Sequence, residues 1–247
     1  MKSIRLGFVT VAATLLLMSF IKLKPITIFM IGDSTMANKK PETFPENGWG
    51  MAFGQYFDKT VTIDNRAQNG RSTKSFIAEN RWQPVVDKLE EGDYVFIEFG
   101  HNDEKIDKPL VGTSLAEFRT NLTKFVLETR AKNAYPVLLT PTARRNFKDG
   151  ELKETHFGYP EVVRSLADSL KVPMIDMLAK TRKIIIAAGD ASSKQWYNYV
   201  DSGHVNYPKG KKDDTHFSQA GAVKMAGLAV EGIKELKLGL AQRLIQQ

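Results

Sequence analysis

A chain of 247 residues with 42% hydrophobic and 26% charged residues has the balance of a globular protein and a length suited to one α/β domain. That balance excludes a largely disordered chain, and the absence of cysteine excludes thiol nucleophiles, disulfides and cysteine-ligated metal. The formal charge of +7 suits an acidic polymer or simple solubility; the lysines are scattered rather than clustered, so nucleic acid is not an expected partner.

In chain order, Lys2 and Arg5 precede the apolar run Leu6 to Phe20. This pattern predicts a secretory signal peptide over residues 1–24 and a secreted or periplasmic protein. The run is shorter than the ~20 residues of a bilayer-spanning helix, so no stable membrane insertion is expected. Ile26–Gly32 is then a β-rich apolar run stopped by glycine, and similar runs follow at Val61–Asp64, Tyr94–Phe99, Pro136–Leu139 and Val172–Ile175. Between them lie segments of helical spacing. One carries Leu115, Phe118, Leu122 and Phe125 behind a capping-box pattern of Ser114 and Glu117; another carries Val223, Ala226, Val230 and Ile233 behind Ser218. Alternating strands and helices predict an α/β fold over residues 25–247, a three-layer sandwich around a five-stranded parallel sheet. Asp190–Asp214 is the longest segment expected to be irregular.

Ligands of such sheets bind outside the carboxyl ends of the strands, and four short segments fall there or beside the last helix. Gly32-Asp33-Ser34 follows the first strand and offers a hydroxyl that needs a base to become a nucleophile. Asn69-Gly70 follows the second; it is either a plain turn or a place where the Gly70 N–H meets a substrate oxygen. Gly100-His101-Asn102-Asp103 closes the third, and Asn102 either forms a local turn or donates its amide to that oxygen. Asp213 and His216 stand three residues apart, so one turn can bring carboxylate and imidazole together and aim the imidazole at Ser34. His101, His156 and His204 have no helical ligand spacing with His216, and no metal is expected. His156 and His204 read as ordinary loop residues and Asp103 as a structural turn residue.

Taken in order, Gly32-Asp33-Ser34, Gly70, Gly100-His101-Asn102-Asp103 and Asp213-x-x-His216 resemble the four blocks of the SGNH, or GDSL-type, hydrolases. Gly-Asp-Ser-Thr-Met-Ala at 32–37, Phe99 to Asp103, Thr140 to Arg145, Gly158-Tyr159-Pro160 and Asp213-x-Thr215-His216-Phe217 are most similar to rhamnogalacturonan acetylesterases within that superfamily. The resemblance implies a flavodoxin-like fold, no cofactor, Ser34 as nucleophile, His216 as base and Asp213 as its orienting acid. It also implies an oxyanion hole of the Ser34 and Gly70 N–H groups and the Asn102 side chain. Asp214 stands where the pattern has glycine, which leaves two aspartates beside His216. The implied partner is acetylated plant polysaccharide, the pectic rhamnogalacturonan backbone first, with Arg71, Arg144 and the lysines of 190–212 as candidates to meet its carboxylates. Acetylxylan esterase, a broader lipase or thioesterase, and a non-catalytic carbohydrate-binding relative are the alternatives; the oligomeric state is left open.

Overall fold

The structure, a computed structural model, describes residues 24–245; the predicted signal peptide lies outside the described residues, Lys24 apart. Its strands are β1 (Ile26–Gly32), β2 (Val61–Asn65), β3 (Tyr94–Glu98), β4 (Tyr135–Leu139), the short hairpin β5 (Phe147–Lys148) and β6 (Glu151–Leu152), and β7 (Met174–Ile175). Five of them form one sheet in the order β2-β1-β3-β4-β7, and every pairing is parallel. The five strands fall where the apolar runs predict them, with one difference. The last pairs only over Met174–Ile175 rather than from Val172, because Pro173 has no N–H to give the ladder and contributes only its carbonyl, to Leu138 N at 3.0 Å.

Burial of the sheet follows from its period of two. Ile28, Met30, Phe96, Val137, Leu139 and Ile175 enter one core with Trp49 and Phe53 of α1 (Trp49–Phe53), Leu178 and Ile185 of α6 (Met177–Ser193), and Met225, Ala226 and Ile233 of α7 (Gln219–Glu235). The alternate residues Phe29, Ile31, Val95, Ile97 and Leu138 enter a second core on the opposite face. It is covered by α2 (Thr73–Ala78), α3 (Gln83–Val86), α4 (Leu115–Ala131) and α5 (Tyr159–Leu170). The result is the three-layer α/β/α sandwich, with β1 and β3 buried on both faces and the edge strand β2 half-buried. No helix among the described residues is long and apolar enough to cross a membrane.

The two predicted helices form with their caps. Ser114 Oγ accepts from Glu117 N at 3.1 Å and Ser218 Oγ accepts from Gly221 N at 3.1 Å. Only half of the Ser114 capping box is present, because the Glu117 carboxylate turns to Lys74 instead. The complete box belongs to α2, where Ser72 and Ser75 bond each other's backbone N–H groups. A larger difference concerns residues 190–214: α6 runs on to Ser193 across a kink at Gly189 (φ 75°), and a 3-10 turn follows over Lys194–Trp196. The irregular segment therefore starts at Tyr197, not Asp190.

Gly32 ends β1 where no side chain fits: a Cβ there would lie 2.6 Å from the Glu98 carbonyl oxygen. Gly32→Ala is expected to cost about 1–3 kcal/mol through overpacking against backbone, read as a lowered urea midpoint; an unchanged midpoint would show that the β1–β3 carboxyl ends can part freely.

Candidate active site

The turn after β1 is built by Asp33. Its buried Oδ1 accepts from Thr35 N at 3.0 Å and Thr35 Oγ1 at 2.9 Å, and its carbonyl accepts from Ala37 N at 3.0 Å. Ser34 rides at the crest of this turn. On the other side, Asn198 N donates to His216 O at 2.8 Å and Asn47 N to Phe217 O at 2.8 Å, so short bridges grip the segment that carries His216. The two pieces meet across 182 residues: His216 Nε2 lies 2.9 Å from Ser34 Oγ.

Behind the imidazole, His216 Nδ1 lies 2.9 Å from Asp213 Oδ2. Asp213 Oδ1 accepts from Thr215 N at 2.9 Å and His216 N at 3.0 Å, a local turn that locks the carboxylate. Half-burial works against ionisation of Asp213, but its bonds from the His216 ring and from these backbone N–H groups outweigh it and hold the carboxyl well below its usual range. An ionised Asp213 requires the proton of His216 to sit on Nδ1, which leaves the Nε2 lone pair facing the Ser34 hydroxyl. Asp214, the second aspartate, is engaged elsewhere. Its Oδ1 accepts from Arg145 Nε at 2.6 Å and Tyr199 OH at 2.7 Å. The geometry thus gives His216 to Asp213.

Gly70 has φ 77°, and a Cβ there would meet nothing within 4 Å, so glycine serves the left-handed turn and not the packing. Among the described residues, neither the Ser34 nor the Gly70 N–H has a protein acceptor. Asn102 Nδ2 donates to Arg71 O at 3.1 Å, which sets the amide against the Gly70 turn with its second hydrogen to spare. Asn102 thus bonds the residue that follows Gly70, joining the loops after β2 and β3, and an N–H left unpaired there can polarise a carbonyl.

Two residues absent from the sequence reading tie this assembly together. Lys39, its side chain fully buried, donates to Ser34 O at 2.6 Å and Asn69 Oδ1 at 2.8 Å and pairs with Glu46 Oε1 at 2.7 Å. Burial lowers its pKa, while Glu46 pulls in the other direction. Glu46 also stands beside the relay: with Asp213 and His216 it makes a group whose ligand-type atoms lie within 4.8 Å of one another. Asp103 does more than shape its own turn. It is buried and accepts from Thr73 N at 3.0 Å and Thr73 Oγ1 at 2.5 Å, fastening the Asn102 loop to α2 immediately beyond Gly70.

Under the nucleophile turn lies a buried acid, Glu98, which accepts from Trp49 Nε1 and from Thr142 N at 3.2 Å. Burial first, and then the charge of Asp33, push its pKa up to about 8. Thr35 Oγ1 sits 2.9 Å from Asp33 and 3.2 Å from Glu98. The hydroxyl thus stands as a donor between two carboxyls, one on the nucleophile turn and one beneath it. His101 is buried against Asp33 and edge-to-face on His156, and burial lowers its pKa to about 4, so it is neutral at neutral pH. His156 is fully buried between Glu104 and Thr142 O, and His204 accepts from Asn206 N; neither approaches Ser34 through any contact.

Three of the residues expected to meet carboxylates are engaged within the protein. Arg71 is paired with Glu79, Arg144 with Glu104, and Lys211 reaches Asp213 at 3.5 Å.

The fold and this site define a carboxylic ester hydrolase. The family described as GDSL-like Lipase/Acylhydrolase matches residues 30–223. The rhamnogalacturonan acetylesterase RhgT of Bacillus subtilis (strain 168) is 41% identical over 226 residues, covering 91% of this chain and 96% of that protein. The probable rhamnogalacturonan acetylesterase YesY of the same strain is 32% identical over 221 residues, 89% of this chain and 98% of its own. Among solved structures, the YXIM protein of Bacillus subtilis matches with a TM-score of 0.75 at 25% identity, over 88% of this chain and 58% of that one. The chain belongs to the GDSL-like lipase/acylhydrolase family.

Two outcomes follow from the buried charges. Lys39→Met leaves Glu46 without its cation and the Ser34 carbonyl without its donor; a loss of about 3–5 kcal/mol is expected in urea unfolding, and a loss below 1 would show that the clamp is dispensable. Glu98 binds a proton in the folded chain that the unfolded chain releases above its usual pKa of 4.5, so it makes stability fall as pH rises from about 5 to 8. Asp103, which burial raises to about 7, acts in the same direction. Glu98→Gln is expected to flatten the decline of Tm across this window, leaving the part due to Asp103; an unaltered slope would place the proton elsewhere.

Proposed function

We propose that this protein is a carbohydrate acetylesterase that removes acetyl groups from the rhamnogalacturonan backbone of pectin, with Ser34 as nucleophile. The observation that carries the chemistry is the unbroken line from Ser34 Oγ through the His216 ring to Asp213, with 2.9 Å at each step. As Oγ attacks the acetyl carbonyl, its proton passes to His216 Nε2, and Asp213 stabilises the imidazolium. The oxyanion takes the Ser34 and Gly70 N–H groups and the Asn102 amide, each donor worth about 3–4 kcal/mol in such a hole. The sugar alkoxide leaves with the proton from Nε2. Water, deprotonated by the same nitrogen, then attacks the acetyl-serine and releases acetate and the free hydroxyl.

The sugar is inferred from kinship: RhgT, named a rhamnogalacturonan acetylesterase, aligns over 96% of its length. Net positive charge suits a polymer of uronate carboxylates. The basic, apolar N-terminal run supports export, to the periplasm or beyond, where such a polymer is met.

Ser34→Ala is expected to fold normally and to lower acetate release roughly a thousandfold or more; unchanged turnover of p-nitrophenyl acetate overturns the nucleophile assignment. For the wild type, acetate release from acetylated rhamnogalacturonan is expected to exceed that from acetylxylan and from a long-chain p-nitrophenyl ester. The reverse order overturns the substrate and leaves the chemistry standing.

A further inference from the structure

Lys105 has a place in the site that no sequence block assigns to it. Its Nζ donates to Asn102 Oδ1 at 2.7 Å, its one hydrogen-bond partner among the side chains of the described residues. An ammonium only donates and a peptide carbonyl only accepts. Lys105 at one end of the amide and Arg71 O at the other therefore settle which end is oxygen and which is nitrogen. An amide without such partners is free to flip and point its carbonyl at the oxyanion, where it repels.

The lysine is held in place for this. Its loop closes on itself through Thr113 N to Asp103 O at 2.9 Å, and Tyr159 OH clasps both strands of the closure, donating toward Thr113 O at 2.6 Å and Asp103 O at 3.2 Å. Gly112 packs so tightly on the turn that a Cβ there would fall 2.2 Å from the Lys105 carbonyl oxygen. The acid next to Lys105 is already committed: Glu104 pairs with Arg144 and His156. The ammonium thus keeps its charge for the amide.

We infer that Lys105 is a positioning residue for ester hydrolysis, orienting and polarising the Asn102 amide so that its free N–H meets the oxyanion. A cation on the amide oxygen draws electron density from the nitrogen and strengthens that N–H as a donor, an effect realised most fully when the oxyanion forms. This rests on the reading of Asn102 as an oxyanion donor.

The test is a double-mutant cycle on p-nitrophenyl acetate, a neutral ester with no sugar to bind, using Lys105→Met, Asn102→Ala and the pair, with Lys105→Arg as the conservative variant. Lys105→Met is expected to lower kcat roughly 10- to 100-fold, the range for losing a hydrogen bond to a charged group, with KM unchanged. Lys105→Arg should recover part of the loss, and Lys105→Met added to Asn102→Ala should cost nothing further. Circular dichroism and Tm confirm that each variant is folded; should Lys105→Met unfold, Lys105→Gln takes its place in the cycle. An unchanged kcat in Lys105→Met, or the same fold-loss with and without Asn102, overturns the inference while a deficient Asn102→Ala upholds the oxyanion reading. A raised KM with kcat unchanged also overturns it, by making Lys105 a substrate contact. A fully active Asn102→Ala removes both.

Discussion

One buried ammonium holds the two halves of the site in register. Lys39 Nζ reaches the carbonyl of Ser34, the side chain of Asn69 and the carboxylate of Glu46, joining the two ends of the β1–α1 connection to the loop after β2. A lysine out of water is costly, and three close oxygen partners offset that cost only if all are present. The nucleophile turn, the Gly70 turn and the segment before α1 are therefore tied by a charge in addition to the backbone bonds from Trp49 N to Thr35 O and from Gln68 N to Gly32 O. Apolar contacts could not do this, because the groups to be positioned are backbone N–H donors and a hydroxyl that must stay in reach of substrate.

The same logic extends outward as a chain of single hydrogen bonds. Asn69 O accepts from Arg71 Nη1, Arg71 O from Asn102 Nδ2, and Asn102 Oδ1 from Lys105. Cations stand at both ends. Beneath it the acids are sorted by their surroundings: against its burial, Asp33 is held low by His101 and then by the Thr35 bonds, and burial pushes Glu98 up. Two carboxyls on one threonine hydroxyl avoid a clash of charges because only one is ionised.

Much of this was legible in the sequence, for a physical reason. Alternation along Ile26–Gly32 and its companions reports directly on two buried faces, and the strand ends then mark where Ser34, Gly70 and Asn102 must cluster. Asp213 and His216 are legible because their contact is local, closed by a single turn. Lys39 is not, since nothing nearby separates it from the exposed Lys40; its partners lie 5, 7 and 30 positions away. The three-residue spacing already favours Asp213 over Asp214, and Arg145, 69 residues from Asp214, holds that second aspartate away from the imidazole. The helical turns past Asp190 are not legible, since Gly189 leaves the helical conformation (φ 75°, ψ 173°) and only a short stretch to Ser193 resumes it.

The separation of 182 positions from Ser34 to His216 also sets an order of events during synthesis. A chain made from its amino end can lay down β1 to β4 and most of both cores while the histidine is still unmade. Until the last fifty or so residues join them, Ser34 is a hydroxyl without its imidazole partner. The contact forms late, with the docking of α7 and the segment before it.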